Sequence, residues 1–310
     1  MSIATAAVVF FSILFPSRTW YAPSQPLEIT VKPEGGAVTL VLTDFAGKPF
    51  DAKMSNEVEA EKTVNLRDAF ATLDTPGTYI LYAVPTGKDL KAFVGTPLVI
   101  GVRTDLRRGG PQATAMVVKV EPLRYAVMST DKGEMTMAFY YDVAPNTVAS
   151  FLSLAEGGYF DGLLFHRIVP EFVIQGGDPM ADGSGGPGFR IGAEFSDRLH
   201  DVGVLSMARE GDPLERQGAM PRPEWADSAG SQFFICLTRE KTKQLDRRYT
   251  VFGKVVKGLD IVTAIGATPT AGENGDMPTE RREIMSVKVL PVRPGENPYD
   301  GLLAVTEEKK

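Results

Sequence analysis

"FHRIVPEFVIQGGD", residues 165–178, is the run whose reading decides this 310-residue chain. It divides into two short apolar stretches, 163–169 and 172–176, each of strand length. Between and within them stand His166, Arg167 and Gln175. The run has no evident nucleophile, no metal-ligand set and no phosphate loop of the G-x-x-x-x-G-K-[ST] kind. The question it raises is what chemistry, if any, needs an arginine between a histidine and an apolar strand.

Outward from this run the texture is that of a sheet with two helices. Strands are predicted near 124–129 and 134–141, flanking the turn "TDKGE", and then at 203–207, 232–237 and 250–254. Pro145 can open a helix, because its missing N–H costs nothing in the first turn. Val148, Phe151, Leu152 and Ala155 follow one helical face, and Gly157 supplies the stop. A second helix is predicted near 258–265, where Leu259, Val262 and Ile265 face together. "REIMSVKVL" reads as the last strand, before a polar tail from about 294 that ends in "EEKK" and is expected to be mobile.

Residues 20–122 have a different grain. "LEITVKP" alternates Leu27, Ile29 and Val31 with polar neighbours, the period of a half-buried strand. "AVTLVLTDF", "GTYILYAVP", "TPLVIGVR" and "TAMVVKV" repeat the theme between turn signals such as Gly35-Gly36 and "DTPGTY". The expectation is a small antiparallel sandwich, immunoglobulin-like, over 1–122. This half holds no histidine or cysteine and no persuasive catalytic spacing, so it reads as a structural or protein-contacting accessory domain.

Composition narrows the classes. With 43% hydrophobic and 23% charged residues and a net charge of −6, the chain is an ordinary globular one, and its acidity argues against a dedicated nucleic-acid binder. The single cysteine, Cys236 in "SQFFICL", excludes a disulfide framework and a multi-cysteine zinc site, and reads as a small core residue. Residues 3–15 are almost all apolar. Their first positive charge, Arg18, follows rather than precedes them, and the run is shorter than the roughly 18–20 residues that span a bilayer. The expectation is no firm membrane association and a cytoplasmic location, with an exported or periplasmic one as the alternative.

Taken in order, "FHRIVPEFVIQGGDP", "GSGGPGF", "GVLSMAR", "GSQFFICL" and "YTVFGKVVKGLDIV" resemble the successive blocks of a cyclophilin-type peptidyl-prolyl cis–trans isomerase. Five blocks in the family's order make the resemblance specific over about 123–292, leaving 293–310 as a polar tail. It implies a mainly β fold: a closed eight-stranded β-barrel capped by two helices, with a substrate groove on its outer face. It also implies acceleration of X–Pro bond rotation in protein substrates, in aid of folding. That chemistry fits the opening run. Twisting an X–Pro bond costs about 20 kcal/mol because it destroys amide resonance, but nothing is cut, so no cofactor, metal or nucleophile is required.

By resemblance, Arg167, Phe172 and Gln175 form the catalytic set: the guanidinium, an aromatic of the proline pocket, and the amide that orients the guanidinium. Val173, Phe234 and Leu245 complete the pocket, with Tyr249 at its edge. Gln232, Ala208 and the backbone of Arg209 line the peptide groove. His166 belongs to the groove edge, since no proton transfer is needed. His200 reads as a structural loop histidine. The partners implied are proline-containing polypeptides. A binding module that holds proline segments, with incidental turnover, is the competing class.

Three departures from the family pattern stand out. Tyr249 replaces the pocket-edge histidine of many eukaryotic members. Gln244 stands where cyclosporin-sensitive members have tryptophan, so weak cyclosporin binding is predicted. Between Ala208 and Ser231 lie 22 residues, "REGDPLERQGAMPRPEWADSAG", where the family has a shorter connection. This insertion, 209–230, carries Trp225 and several prolines beside the groove, and is expected to shape substrate choice. Elsewhere, "DPMADGS" lacks the terminal glutamate of a calcium hand loop, and no G-x-S-x-G nucleophile elbow occurs.

Overall fold

The computed structural model describes residues 12–22, 25–54, 56–104 and 116–303. Most of the apolar run 3–15 and the "EEKK" end, on which the leader and tail readings fall, lie outside these residues. Contacts divide the chain into two compact units. One runs to Leu123 and includes Pro291–Asn297; the other comprises Arg124–Leu290 and the chain from Pro298.

The first unit is antiparallel β. A six-stranded sheet has the order Trp20–Tyr21, Met116–Pro122, Val94–Thr104, Gly77–Pro85, Val38–Asp44, Glu57–Val58. A three-stranded sheet joins Leu14–Pro16, Glu28–Val31 and Lys62–Asn65. Period-two patterning decides which side chains turn inward: Val38, Leu40 and Leu42 are buried while Thr39 and Val41 are not fully so. Both sheets feed one cluster, with Leu14, Ile29 and Val31 from the smaller and Leu40, Leu42, Leu81 and Ile100 from the larger. All five runs predicted as strands are strands. Among the described residues the division is six and three, not the four and three of an immunoglobulin constant-type sandwich.

In the second unit we number eight strands: β1 (Arg124–Thr130), β2 (Gly133–Phe139), β3 (Arg167–Val169), β4 (Val173–Gly176), β5 (Val204–Met207), β6 (Phe233–Cys236), β7 (Val251–Lys257) and β8 (Ile284–Pro291). They form one sheet in the order β3-β4-β6-β5-β7-β2-β1-β8. Irregular register between Thr136 and Met137, and between Leu205 and Ser206, adds bend to β2 and β5. The sheet curls until its ends meet, but only in a short seam just before β3. There the Gly162 N–H donates to Ile284 O, Ile284 N–H to Leu163 O and Phe165 N–H to Arg282 O. The barrel implied by resemblance is thus present as a curled eight-stranded sheet, joined by a short seam rather than a long ladder.

Two helices were predicted and both form: α1 (Pro145–Glu156) and α2 (Leu259–Gly266). Ala144 cannot cap α1, so a distant carboxylate does. Glu194 accepts from the Asn146 N–H at 3.1 Å and from the Thr147 N–H at 2.8 Å, where negative charge is favoured. At the other end the left-handed residue is Gly158, φ 71°, one position beyond the predicted stop. The buried face of α1 carries Phe151, whose ring lies 4.8 Å from Phe160 and 5.6 Å from Phe233 and Phe139. Each such ring fully buried contributes about 1.5–3 kcal/mol of transfer free energy. Cys236 is fully buried, and burial pushes its thiol pKa far up. The polar tail holds one buried aromatic: Tyr299 donates its hydroxyl to Arg124 O at 2.7 Å and accepts from the Phe139 N–H.

One register places the site. Opposite residues of an antiparallel pair share a face, so Arg167↔Gln175, Gln175↔Phe234 and Phe234↔Ser206 form a row across β3, β4, β6 and β5. The adjacent row is Ile168, Ile174, Ile235 and Leu205, all fully buried. A one-residue slip would exchange the two rows, and burying a guanidinium in that aliphatic layer is prohibitive.

Candidate active site

On the outer row, side chains link into a chain of hydrogen bonds. Arg167 Nε donates to Asp276 Oδ2 at 2.8 Å, and its Nη1 donates to Gln175 Oε1 at 3.2 Å. Gln175 Nε2 then donates to Gln232 Oε1 at 2.9 Å. Gln232 Nε2 donates to the carbonyls of Gly183 and Gly185, each at 2.9 Å. This fixes every amide in one orientation, because each oxygen is claimed by the preceding donor. Arg167 retains both Nη2 protons without a partner among the described residues, and its side chain is 39% exposed. Such a guanidinium is pinned at one edge and open at the other.

The glycine pair of the opening run serves this geometry. Gly177 has φ 85°, and a Cβ there would sit 2.3 Å from Ser231 O. No side chain fits, so the end of β4 can approach the chain entering β6 and bring Gln175 within reach of Gln232.

A groove of about 460 Å³ opens beside the chain. Its lining includes Gln175, Gln232, Ala208 and Arg209, together with the glycine-rich segment 183–188 and Phe189. Four of the residues assigned from sequence therefore share one cavity. Phe234 and Tyr249 meet edge to face at 5.8 Å. Phe172 and Leu245 are half-buried and lie outside the lining of that groove, and Val173 is closed off at 2% exposure. Gln244 is exposed in the turn Lys243–Leu245.

Beneath Phe234 lies the second histidine. The His200 ring stacks on Phe234 at 6.0 Å and 17°. Its Nδ1 faces Asp246 Oδ1 and its Nε2 faces Ser206 Oγ, each at 3.1 Å. Burial lowers its pKa, with Asp246 opposing. His166 is different: neither ring nitrogen makes a well-formed hydrogen bond, and burial lowers its pKa, with Asp178 opposing. Burial thus favours the neutral ring, whose two nitrogens are shielded from water just before β3.

The insertion is tightly built. Arg209 has a side chain only 2% exposed, lying over the Tyr249 ring at 4.3 Å. Glu215 takes it from the other side as a two-pronged pair, at 3.0 Å to Nη1 and 2.7 Å to Nη2. Arg209 Nε and Nη2 also donate to Arg248 O, next to Tyr249. Asp212, buried and held well below the usual carboxylate range by Arg222, caps the turn Pro213–Gln217 and completes a capping box with Glu215. Burial pushes the Tyr249 phenol pKa up, with Arg209 opposing, so the ring stays neutral. At the mouth of the groove, Arg190 pairs with Glu210.

Sequence reading missed three of these parts. Asp276 lies outside all five blocks, in the turn-rich "TAGENGDMP". The Arg209–Glu215 pair has no periodic signature, and the His200–Phe234 stack joins residues remote in sequence. Only folding brings each pair together.

The fold and this groove define a class: a curled antiparallel β scaffold with a cleft beside a hydrogen-bonded row of polar side chains. Comparison supplies the family. Residues 125–289 match the model described as "Cyclophilin type peptidyl-prolyl cis-trans isomerase/CLD". A peptidyl-prolyl cis-trans isomerase of Synechococcus elongatus is 38% identical over 167 residues, covering 53% of this chain and 95% of that protein. Peptidyl-prolyl cis-trans isomerase CYP18-2 of Arabidopsis thaliana is 35% identical over 169 residues, covering 53% and 92%. Peptidyl-prolyl cis-trans isomerase-like 1 of Mus musculus is 34% identical over 173 residues, covering 54% and 90%. The chain belongs to the cyclophilin family, and its second unit is a cyclophilin-type peptidyl-prolyl cis–trans isomerase domain. Among the described residues, no helix is long and apolar enough to cross a membrane.

Proposed function

We propose that this domain rotates X–Pro bonds in polypeptide substrates laid along the groove, with Arg167 as the catalytic guanidinium. The observation that carries this reading is the state of Arg167: gripped at Nε and Nη1, without a partner at Nη2 among the described residues, and bonded to Gln175, which lines the groove with Gln232. In the twisted state the prolyl nitrogen regains its lone pair and becomes a better acceptor. A fixed donor is then worth more in the transition state than in the planar ground state, which is the condition for lowering the barrier. Because the donor is already oriented, little reorganisation is needed as charge develops.

Phe172, Phe234, Leu245 and Tyr249 are assigned to gripping the proline ring while the rest of the peptide turns, with the buried Val173 assigned to the layer behind them. Gln232, Ala208 and the Arg209 backbone are assigned to the extended segment, and His166 to the groove edge. Assistance to folding follows, since uncatalysed X–Pro isomerisation takes on the order of tens of seconds or longer. Cyclosporin is assigned weak binding, because Gln244 offers neither the indole donor nor the apolar area of tryptophan. The N-terminal unit is assigned an accessory role, with domain limits near 122 and 292.

The test is exchange of a proline peptide between cis and trans, measured with the full chain and with Arg167→Ala. Loss of roughly a hundredfold in kcat/KM supports the assignment, the scale of removing one preorganised donor. Equal rates for the two would leave only a proline-segment binding module.

A further inference from the structure

We propose, building on the role given to Arg167 above, that Asp276 is a positioning residue for the isomerisation, acting by fixing the guanidinium. Asp276 holds β3 twice. Its side chain accepts from Arg167 Nε at 2.8 Å, and its backbone carbonyl accepts from the Ile168 N–H at 2.8 Å. The two contacts reach consecutive residues of one strand, so the carboxylate is located by the same segment that carries the arginine.

The segment that presents Asp276 is itself braced. Thr270–Ala271 pairs with Met277–Pro278 in a two-stranded hairpin. Inside its turn Thr270 Oγ1 donates to Gly275 O at 2.7 Å, and the Gly275 N–H donates to Gly272 O at 3.1 Å. Gly272 and Gly275, at φ 86° and 65°, supply left-handed positions that let so short a turn close. The hairpin therefore delivers a carboxylate from a fixed platform.

What the carboxylate does follows from the geometry of a guanidinium. Nε is the one donor on the arginine stem side, and a bond there sets the plane of the fork. Gln175 at Nη1 supplies the second point of that plane. With both in place Nη2 can point in only one direction. With Gln175 alone, the fork can turn about its single remaining anchor. The Asp276 side chain is 24% exposed and that of Arg167 39%, so the pair is too wet to matter much for stability. Its consequence lies in where the donor points, and misplacement of a reacting group by about 1 Å can cost on the order of a hundredfold in rate.

The experiment uses the full chain and measures kcat and KM separately by cis–trans exchange of a proline peptide for wild type, Asp276→Ala, Asp276→Asn, Asp276→Glu and Arg167→Ala. The expected results are a roughly tenfold fall in kcat for Asp276→Ala, KM within about twofold, and substantial recovery in Asp276→Glu. Adding Asp276→Ala to Arg167→Ala should cost nothing further, since a positioning residue acts only through the residue it positions. The Arg167 Nε–H resonance should be protected from solvent exchange in wild type, lose that protection in Asp276→Ala, and keep most of it in the isosteric Asp276→Asn, whose amide oxygen still accepts. Unchanged kcat in Asp276→Ala, an effect on KM alone, or an additive loss in the Arg167→Ala background would overturn the assignment. If Arg167→Ala itself retained the wild-type rate, the catalytic role of Arg167 would fall instead, whatever Asp276 does.

Discussion

Two walls of this site, of which Gln175 on the strand side and Arg209, Glu210, Ser228 and Gly230 on the loop side line the groove itself, are built by different means. One is strand: Arg167, Gln175 and Phe234 stand in register across β3, β4 and β6, backed by Ile168, Ile174 and Ile235. The other is loop: the 209–230 insertion, held to the edge of the pocket by Arg209, Glu215 and Arg248. The strand wall takes its precision from backbone pairing and an aliphatic layer. The loop wall has no ladder and takes its precision from ion pairs whose charges are largely withdrawn from water. On the role proposed for Arg167, catalysis should respond to polar atoms on the first wall, and stability to polar atoms on the second.

That contrast can be broken by mutation. Arg167→Ala has the largest expected effect, about a hundredfold in kcat/KM, with the melting temperature nearly unchanged because a half-exposed pair contributes little. A large drop in thermal stability would erase the distinction between the walls. Next comes Glu215→Ala, which strands the buried Arg209 charge. Urea unfolding should show a loss of about 2 kcal/mol, reduced from the fully buried case because Glu215 keeps some exposure. Replacing both partners, Arg209→Met with Glu215→Leu, should be milder than Glu215→Ala alone; the opposite order would show that the pair does more than satisfy itself.

Gln232→Ala removes one hydrogen bond to Gln175 and two to glycine carbonyls. It should raise KM about three- to fivefold with a smaller change in kcat, an effect of about 1 kcal/mol. A kcat loss as large as that of Arg167→Ala would move the catalytic weight along the chain. The smallest effect is on pH. Burial lowers the pKa of both His166 and His200 below the usual value of about 6.5, so the unfolded chain takes up these protons first. Stability contributed by the neutral rings is then present above about pH 6.5 and is lost as pH falls through it toward the folded-state values. Denaturation at pH 7.5 and 5.5 should show this slope, and His166→Gln should flatten it. A slope unchanged by that substitution would show that His166 titrates normally.

How much of this was legible in the residues depended on range. The longer strands of both units, both helices, and the placing of Gln175 and Gln232 beside one groove followed from local period and ordered motif blocks. The end of α1 fell where Gly157 placed it, as the C-cap, while only the backbone decides that the left-handed residue is the next one, Gly158. The insertion was expected beside the groove, but its buried Arg209 and Asp212 carry no local sign, since a charged stretch looks the same whether its partners are solvent or protein. The short strands Glu57–Val58 and Lys62–Asn65 were missed because two to four mostly polar residues have no period to detect.

The sequence by itself determined the family, the alternation that makes a sheet, and the arginine proposed here for the chemistry. Those depend on nearest neighbours along the chain and on the order of a few blocks. Tertiary structure alone decided what holds that arginine. Asp276 reaches it from 109 positions away, and Glu215 reaches Arg209 across a turn with no repeating pattern. Such contacts are fixed by where the closed sheet and its loops come together, and no local propensity encodes that meeting.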